Sequence, residues 1–131
     1  SIKINNEMFP LKDFSSNTFE MKIVINILKA ESSGIKLITS KNQKEVVLIS
    51  FNGKMLNING TKISLKTKQN SNKLKLHIFV DKSVMEVFIN NGKKNVVRCI
   101  EGGEKFNIIL YSKNGKTKIE SCNIWELNSI W

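Results

Sequence analysis

The 131-residue chain is poor in the residues that most enzyme chemistry uses. It has one histidine, His77, and two cysteines, Cys99 and Cys122. They fall short of the four ligands of a structural zinc site, and their spacing is not that of metal ligands. No cofactor is expected. The two thiols are expected to be buried and free rather than bridged. The single proline, Pro10, precedes the first confident strand, which suits a sheet protein. No apolar run approaches the ~20 residues that span a membrane, so no membrane partner is expected. No signal-peptide pattern opens the chain, and the sequence leaves its location unknown.

Arginine is the other scarcity. Arg98 stands alone among 21 basic residues, in a chain of net charge +10 and pI about 9.7. Nucleic-acid readers favour arginine for bidentate phosphate and base contacts. Here lysines are scattered along the chain, often at alternate strand positions, which suits a solvated face and guarded sheet edges. A basic β-barrel that binds nucleic acid also needs exposed aromatics interleaved on one sheet. The aromatics here fall mostly at apolar-face positions, so nucleic acid is not an expected partner.

What the chain does have is enough apolar residue, 40%, for a soluble globular class. A chain this long buries roughly two thirds of its extended surface on folding, so one domain over residues 1–131 is expected. Asn-Gly recurs at 52–53, 59–60, 91–92 and 114–115. It supplies the positive φ of tight hairpins. Segment 18–29 alternates with period two: Phe19, Met21, Ile23, Ile25 and Ile27 share one face. Strands follow at 34–39 and 45–51, on either side of the second Asn-Gly, at 73–80, 84–89 and 94–100, and in a final hairpin of 105–111 with 116–127 through SKNG. The first 17 residues read as a lead-in with a short strand near Ile2 to Ile4. About ten short strands predict an all-β fold, a two-sheet antiparallel sandwich of jelly-roll type.

Residues 76–92, LHIFVDKSVMEVFINNG, place Glu86 inside an otherwise apolar strand. A buried carboxylate needs a partner. With a three-residue loop at 90–92, Val84 faces Arg98 and Glu86 lies diagonal to it on the same face. With a two-residue Asn91-Gly92 loop, the register shifts and Arg98 points to the other face. The first register predicts a Glu86–Arg98 pair that locks the hairpin, or a polar notch for a polyhydroxylated ligand. Asp81 and Ser83 read as the fixings of the DKS corner. Asp81 and Glu86 are of opposite parity in an extended chain. Trp125 and Trp131 have faces suited to stacking on a sugar, though core packing is the expected role of Trp125. Glu86, Arg98, Asp81 and Trp125 are the candidate carbohydrate-binding residues.

The same stretch resembles the signature IFVDxSxxEVFxNxG of the C-terminal β-sandwich module of glycoside hydrolase family 32, the invertases, levanases and other β-fructofuranosidases. IESCNIWELNSIW resembles that module's final strand and FEMKIVI its first long one. Asp81, Ser83, Glu86, Asn90 and Gly92 match the motif, and Arg98 matches an arginine that commonly follows it. The resemblance implies a sandwich packed against a catalytic five-bladed propeller of the same polypeptide. A related group, carbohydrate-binding module family 66, binds fructose at fructan ends, so fructose or fructan is the implied ligand. The propeller's catalytic strings, Asn-Asp-Pro, Arg-Asp-Pro and Glu-Cys, do not occur in this chain. The expected function is a non-catalytic structural module of a fructan- or sucrose-hydrolysing glycosidase. Its alternative is a module that itself recognises terminal fructose.

Overall fold

The structure, a computed structural model, describes residues 1–65, 72–101 and 104–127. Ten antiparallel strands account for its regular structure, with no helix among the described residues: β1 (Ile2–Pro10), β2 (Thr18–Asn26), β3 (Ser32–Thr39), β4 (Glu45–Phe51), β5 (Met55–Ile58), β6 (Thr61–Ser64), β7 (Lys73–Asp81), β8 (Val84–Ile89), β9 (Lys94–Cys99) and β10 (Phe106–Glu126). The hydrogen-bonded order is β6-β5-β4-β3-β10-β2-β7-β8-β9, with β1 paired along β10. Residues 129–131, the closing SIW with Trp131, lie outside the described residues.

This continuous ladder curls into two layers because β10 belongs to both. Its first half, Phe106 to Lys113, pairs with β3, and its second, Lys118 to Glu126, pairs with β2. The expected final hairpin at 105–127 is therefore a single long strand. Asn114 (φ 53°) and Gly115 (φ 136°) make a corner in it rather than a reversal. β1 follows the corner on the other edge with its own irregularity between Asn5 and Glu7. Asn6 Oδ1 accepts the Asn114 backbone N–H at 2.9 Å. Inside the bend, Ser112 Oγ donates to the Gly115 carbonyl at 2.6 Å and meets Thr117 Oγ1 at 2.9 Å, so the buried hydroxyls are satisfied. The expected short strand near Ile2 is thus a nine-residue edge strand, and Pro10 sits at its end, where a missing N–H costs nothing.

Period-two patterning builds the core. Phe19, Met21, Ile23 and Ile25 of β2 are buried to 1% exposure or less, facing Ile35, Ile49, Leu56 and Ile58 of the other layer in one cluster. Each such side chain contributes about 1.5–3 kcal/mol by leaving water. The other Asn-Gly pairs do make reversals: Asn59 and Gly60 (φ 48° and 99°) join β5 to β6, with Ile58 opposite Thr61. Both cysteines are free, as expected. Cys99, however, is exposed and Cys122 only half-buried, because Cys99 faces outward from an edge strand.

Candidate functional site

The DKS corner of the motif is held through its backbone by neighbouring segments and not, among the described residues, by the expected side-chain bonds of Asp81 and Ser83. β7 and β8 close through Lys82-Ser83, with Asp81 opposite Val84 and Lys82 at φ 57°. The Lys82 N–H donates to the Asn17 carbonyl at 2.7 Å, and the Ser83 carbonyl accepts from Ile100 N–H at 2.7 Å. Folding the chain here puts Asp81 and Glu86 on the same outer face, since Phe79 pairs with Glu86. The opposite parity expected of an extended chain is lost at the turn. At the far end of β8, Asn90, Asn91 and Gly92 all take positive φ. Asn90 Oδ1 accepts the Lys75 N–H at 3.1 Å, while its own N–H donates to the Lys75 carbonyl at 2.9 Å.

The register of the next hairpin corrects the expected Glu86–Arg98 pair. Ile89 faces Lys94, Met85 faces Arg98 and Glu86 faces Val97, which is the register of the two-residue alternative. A one-residue slip moves every side chain to the other face. Glu86 therefore points outward, half-buried, and accepts from Asn95 Nδ2 at 3.1 Å. Arg98 points inward beside buried Met85 and donates from Nη1 to Thr61 Oγ1 at 2.9 Å on β6. The carboxylate and the guanidinium share no site.

Trp125 is 46% exposed, not packed in the core. A bulge between Ile119 and Ser121 explains this: it inverts the alternation, so Ile119 points in while Ser121, Asn123 and Trp125 point out. Parity counted through the bulge misassigns the face.

What the outer face of the β10-β2-β7-β8-β9 layer carries is a set of cross-strand rows. Trp125, Glu20, Phe79, Glu86 and Val97 form one row; Asn123, Lys22, His77, Phe88 and Asn95 form the next. Sheet twist makes the polar contacts diagonal between them. Lys22 Nζ lies 5.9 Å from the centre of the Trp125 ring, and His77 Nε2 donates to Glu20 Oε2 at 2.5 Å. The His77 and Phe79 ring centres are 4.4 Å apart, and Phe79 meets Phe88 edge-on at 6.0 Å. These rings floor an open groove of about 730 Å³. Sequence reading missed it. Its signal was the polar-aromatic alternation Lys75, His77, Phe79, which was absorbed into an apolar strand. Glu86, Asp81, Arg98 and Trp125 do not line it. No cluster of three or more metal-ligating side chains occurs among the described residues.

A second, shallower groove of about 370 Å³ lies on the other layer, between β1 and Tyr111. Gly34 pairs with Tyr111 at its side. A Cβ there would sit 1.8 Å from the Ile49 carbonyl oxygen and 3.0 Å from the Tyr111 ring, so the ring passes close over bare backbone. Burial raises the Tyr111 phenol above its ordinary range, with hydrogen bonds to Ser50 and Ser32 opposing.

Comparison with known proteins gives this sandwich a place. A levanase of Bacillus subtilis is 40% identical over 60 residues, 45% of this chain and 9% of the levanase. Among solved structures, exo-inulinase from Aspergillus awamori superposes with a TM-score of 0.75 at 18% identity, over 99% of this chain and 29% of that one. A β-fructofuranosidase of Schwanniomyces occidentalis, complexed with fructosyl-erythritol, gives 0.71 at 18% identity, over 98% and 33%. At that identity the likeness is one of fold. The chain spans about a third of such structures and a smaller share of the levanase. The family model "Glycosyl hydrolases family 32 C terminal" matches residues 1–126. The chain is a member of that family of C-terminal β-sandwich domains.

Proposed function

We propose that this chain is the non-catalytic sandwich module of a glycosidase that hydrolyses fructans or sucrose, and that it supports the catalytic propeller of the same polypeptide. The observation that carries this reading is the family match over residues 1–126. Two features support it. Asp81 and Glu86, the acids of the motif, lie in neither groove, and Glu86 already accepts from Asn95. A retaining glycosidase needs two carboxyl groups about 5 Å apart across a bound sugar. The long edge strand β1 also leaves apolar side chains exposed along its free edge: Met8, 60% exposed, on the outer side opposite Tyr111, and Phe9 and Ile2 on the core side opposite Leu110 and Ile119. Such a mixed apolar strip suits an interdomain contact. We assign it to the propeller.

The test has two arms. The chain alone, incubated with sucrose, inulin or levan, is expected to release no fructose; release would overturn the reading. Added in trans to the catalytic domain of its own polypeptide, it is expected to raise that domain's Tm, and Met8→Asp with Phe9→Asp to abolish the rise.

A further inference from the structure

The groove on the outer face of the β2-β7 layer has a composition that the supporting role does not use. Its lining includes Lys22 and Lys75 and contains no carboxylate. Glu20, the acid nearest by register, is occupied by His77. Among the described residues, no acid lies within ion-pair distance of either lysine: Lys22 rests against the Trp125 ring, and Lys75 has no ion pair. Glu86, on the same face, is held by Asn95 and lies outside the groove. The floor is built of half-buried rings, His77, Phe79 and Phe88. The rim adds Asn91, Ser121 and Asn123, neutral groups that both donate and accept.

We propose that this groove binds an acidic oligosaccharide, with the rings taking the C–H faces of the sugars, the amides and hydroxyl taking their OH groups, and Lys22 and Lys75 taking carboxylates. Stacking on ring faces selects a ring-bearing ligand. The two ammonium groups, neither of them ion-paired among the described residues, select a negative one, and the net charge of +10 draws it in. The lining runs from β10 across β2 and β7 to β8, three strand spacings or about 14 Å, which fits a short chain better than one sugar. This site is separate from the supporting role and from the strip on β1.

Titration of the chain with a hexamer of galacturonate, at low and at moderate salt, tests it. Saturable binding is expected, weakened by salt. The double variant Lys22→Ala/Lys75→Ala should lose about tenfold or more in affinity, against less than twofold for Lys54→Ala/Lys62→Ala. That second pair removes the same charge from the other layer and serves as the control. Unchanged melting curves establish that both doubles fold. No binding at millimolar hexamer overturns the proposal. So does an equal loss in both doubles, or equally tight binding of oligo-dT, either of which would mean simple polyanion attraction. Because neither substitution touches β1, failure here leaves the propeller-docking test unaffected.

Discussion

Arg98 Nη1 donates to Thr61 Oγ1 at 2.9 Å, and this one bond ties the last strand of one layer to the last strand of the other. β6 and β9 are the two free ends of the curled ladder, so nothing else in the hydrogen-bonding order joins them. The guanidinium is half-buried, and no carboxylate among the described residues pairs with it. A hydrogen bond from a charged donor contributes about 1.5–3 kcal/mol. Thr61→Val keeps the shape and removes the acceptor. It is expected to lower urea stability by about 1–2 kcal/mol. Glu86→Gln, which disturbs only a contact with Asn95, should stay within about 0.5 kcal/mol. The reverse ranking would restore the Glu86–Arg98 pair that the observed register separates.

Backbone approach makes a sharper prediction at glycine. Gly34 has no room for a methyl: the Ile49 carbonyl oxygen would be 1.8 Å from it, and both belong to paired central strands. Gly34→Ala should cost more than about 4 kcal/mol or prevent folding. Gly60, by contrast, takes positive φ, 99°, and has open space around it. Gly60→Ala pays only for the backbone conformation, about 1–2 kcal/mol. Thermal melts of the two variants, or the soluble yield where Gly34→Ala does not fold, check the order.

How much of this was legible follows from where alternation holds. The face of β2 could be read from Phe19 to Ile27 because nothing interrupts its period. The four Asn-Gly pairs marked four changes of direction, but a dipeptide that permits positive φ does not say whether the chain reverses or turns a corner. Asn59-Gly60 reverses and Asn114-Gly115 does not, because the strands that flank the latter find partners in β3 and β2 rather than in each other. Trp125 was expected in the core as a large aromatic, and the bulge that turns it outward leaves no mark in composition; Arg98 was misplaced through a loop whose length sets the register. The groove was illegible for a different reason. Lys22, His77 and Ser121 are far apart in sequence, and only the pairing of β10, β2 and β7 puts them side by side.

The motif's Asn90 can be tested as a turn residue. It sits at φ 49° and its side chain caps the Lys75 N–H. Asn90→Ala loses both the tolerance for that conformation and the acceptor, and about 1–2 kcal/mol is expected. Asn90→Gly restores the conformation without the acceptor and should recover part of it. If Asn90→Gly is as unstable as Asn90→Ala in chemical denaturation, the conformational half of this account is wrong.

The thiols give a pH prediction with a definite sign. Burial of Cys122 pushes its pKa from 9.0 up to about 11. A raised acid is favoured in its neutral form by the fold. Its contribution is full below pH 9, where the unfolded thiol is also neutral, and is lost as pH climbs through about 11. Tyr111, raised by burial as well, adds to the same alkaline loss. Cys122→Ala should therefore show a smaller fall in Tm between pH 9 and 11 than the unsubstituted chain. Reaction with a thiol-specific reagent supplies an independent reading. At pH 8, exposed Cys99 should react in a fast phase and Cys122 in a slow one, because only the thiolate attacks. The slow phase should accelerate up to about pH 11, and two phases of equal rate at pH 8 would remove the burial that the shift depends on.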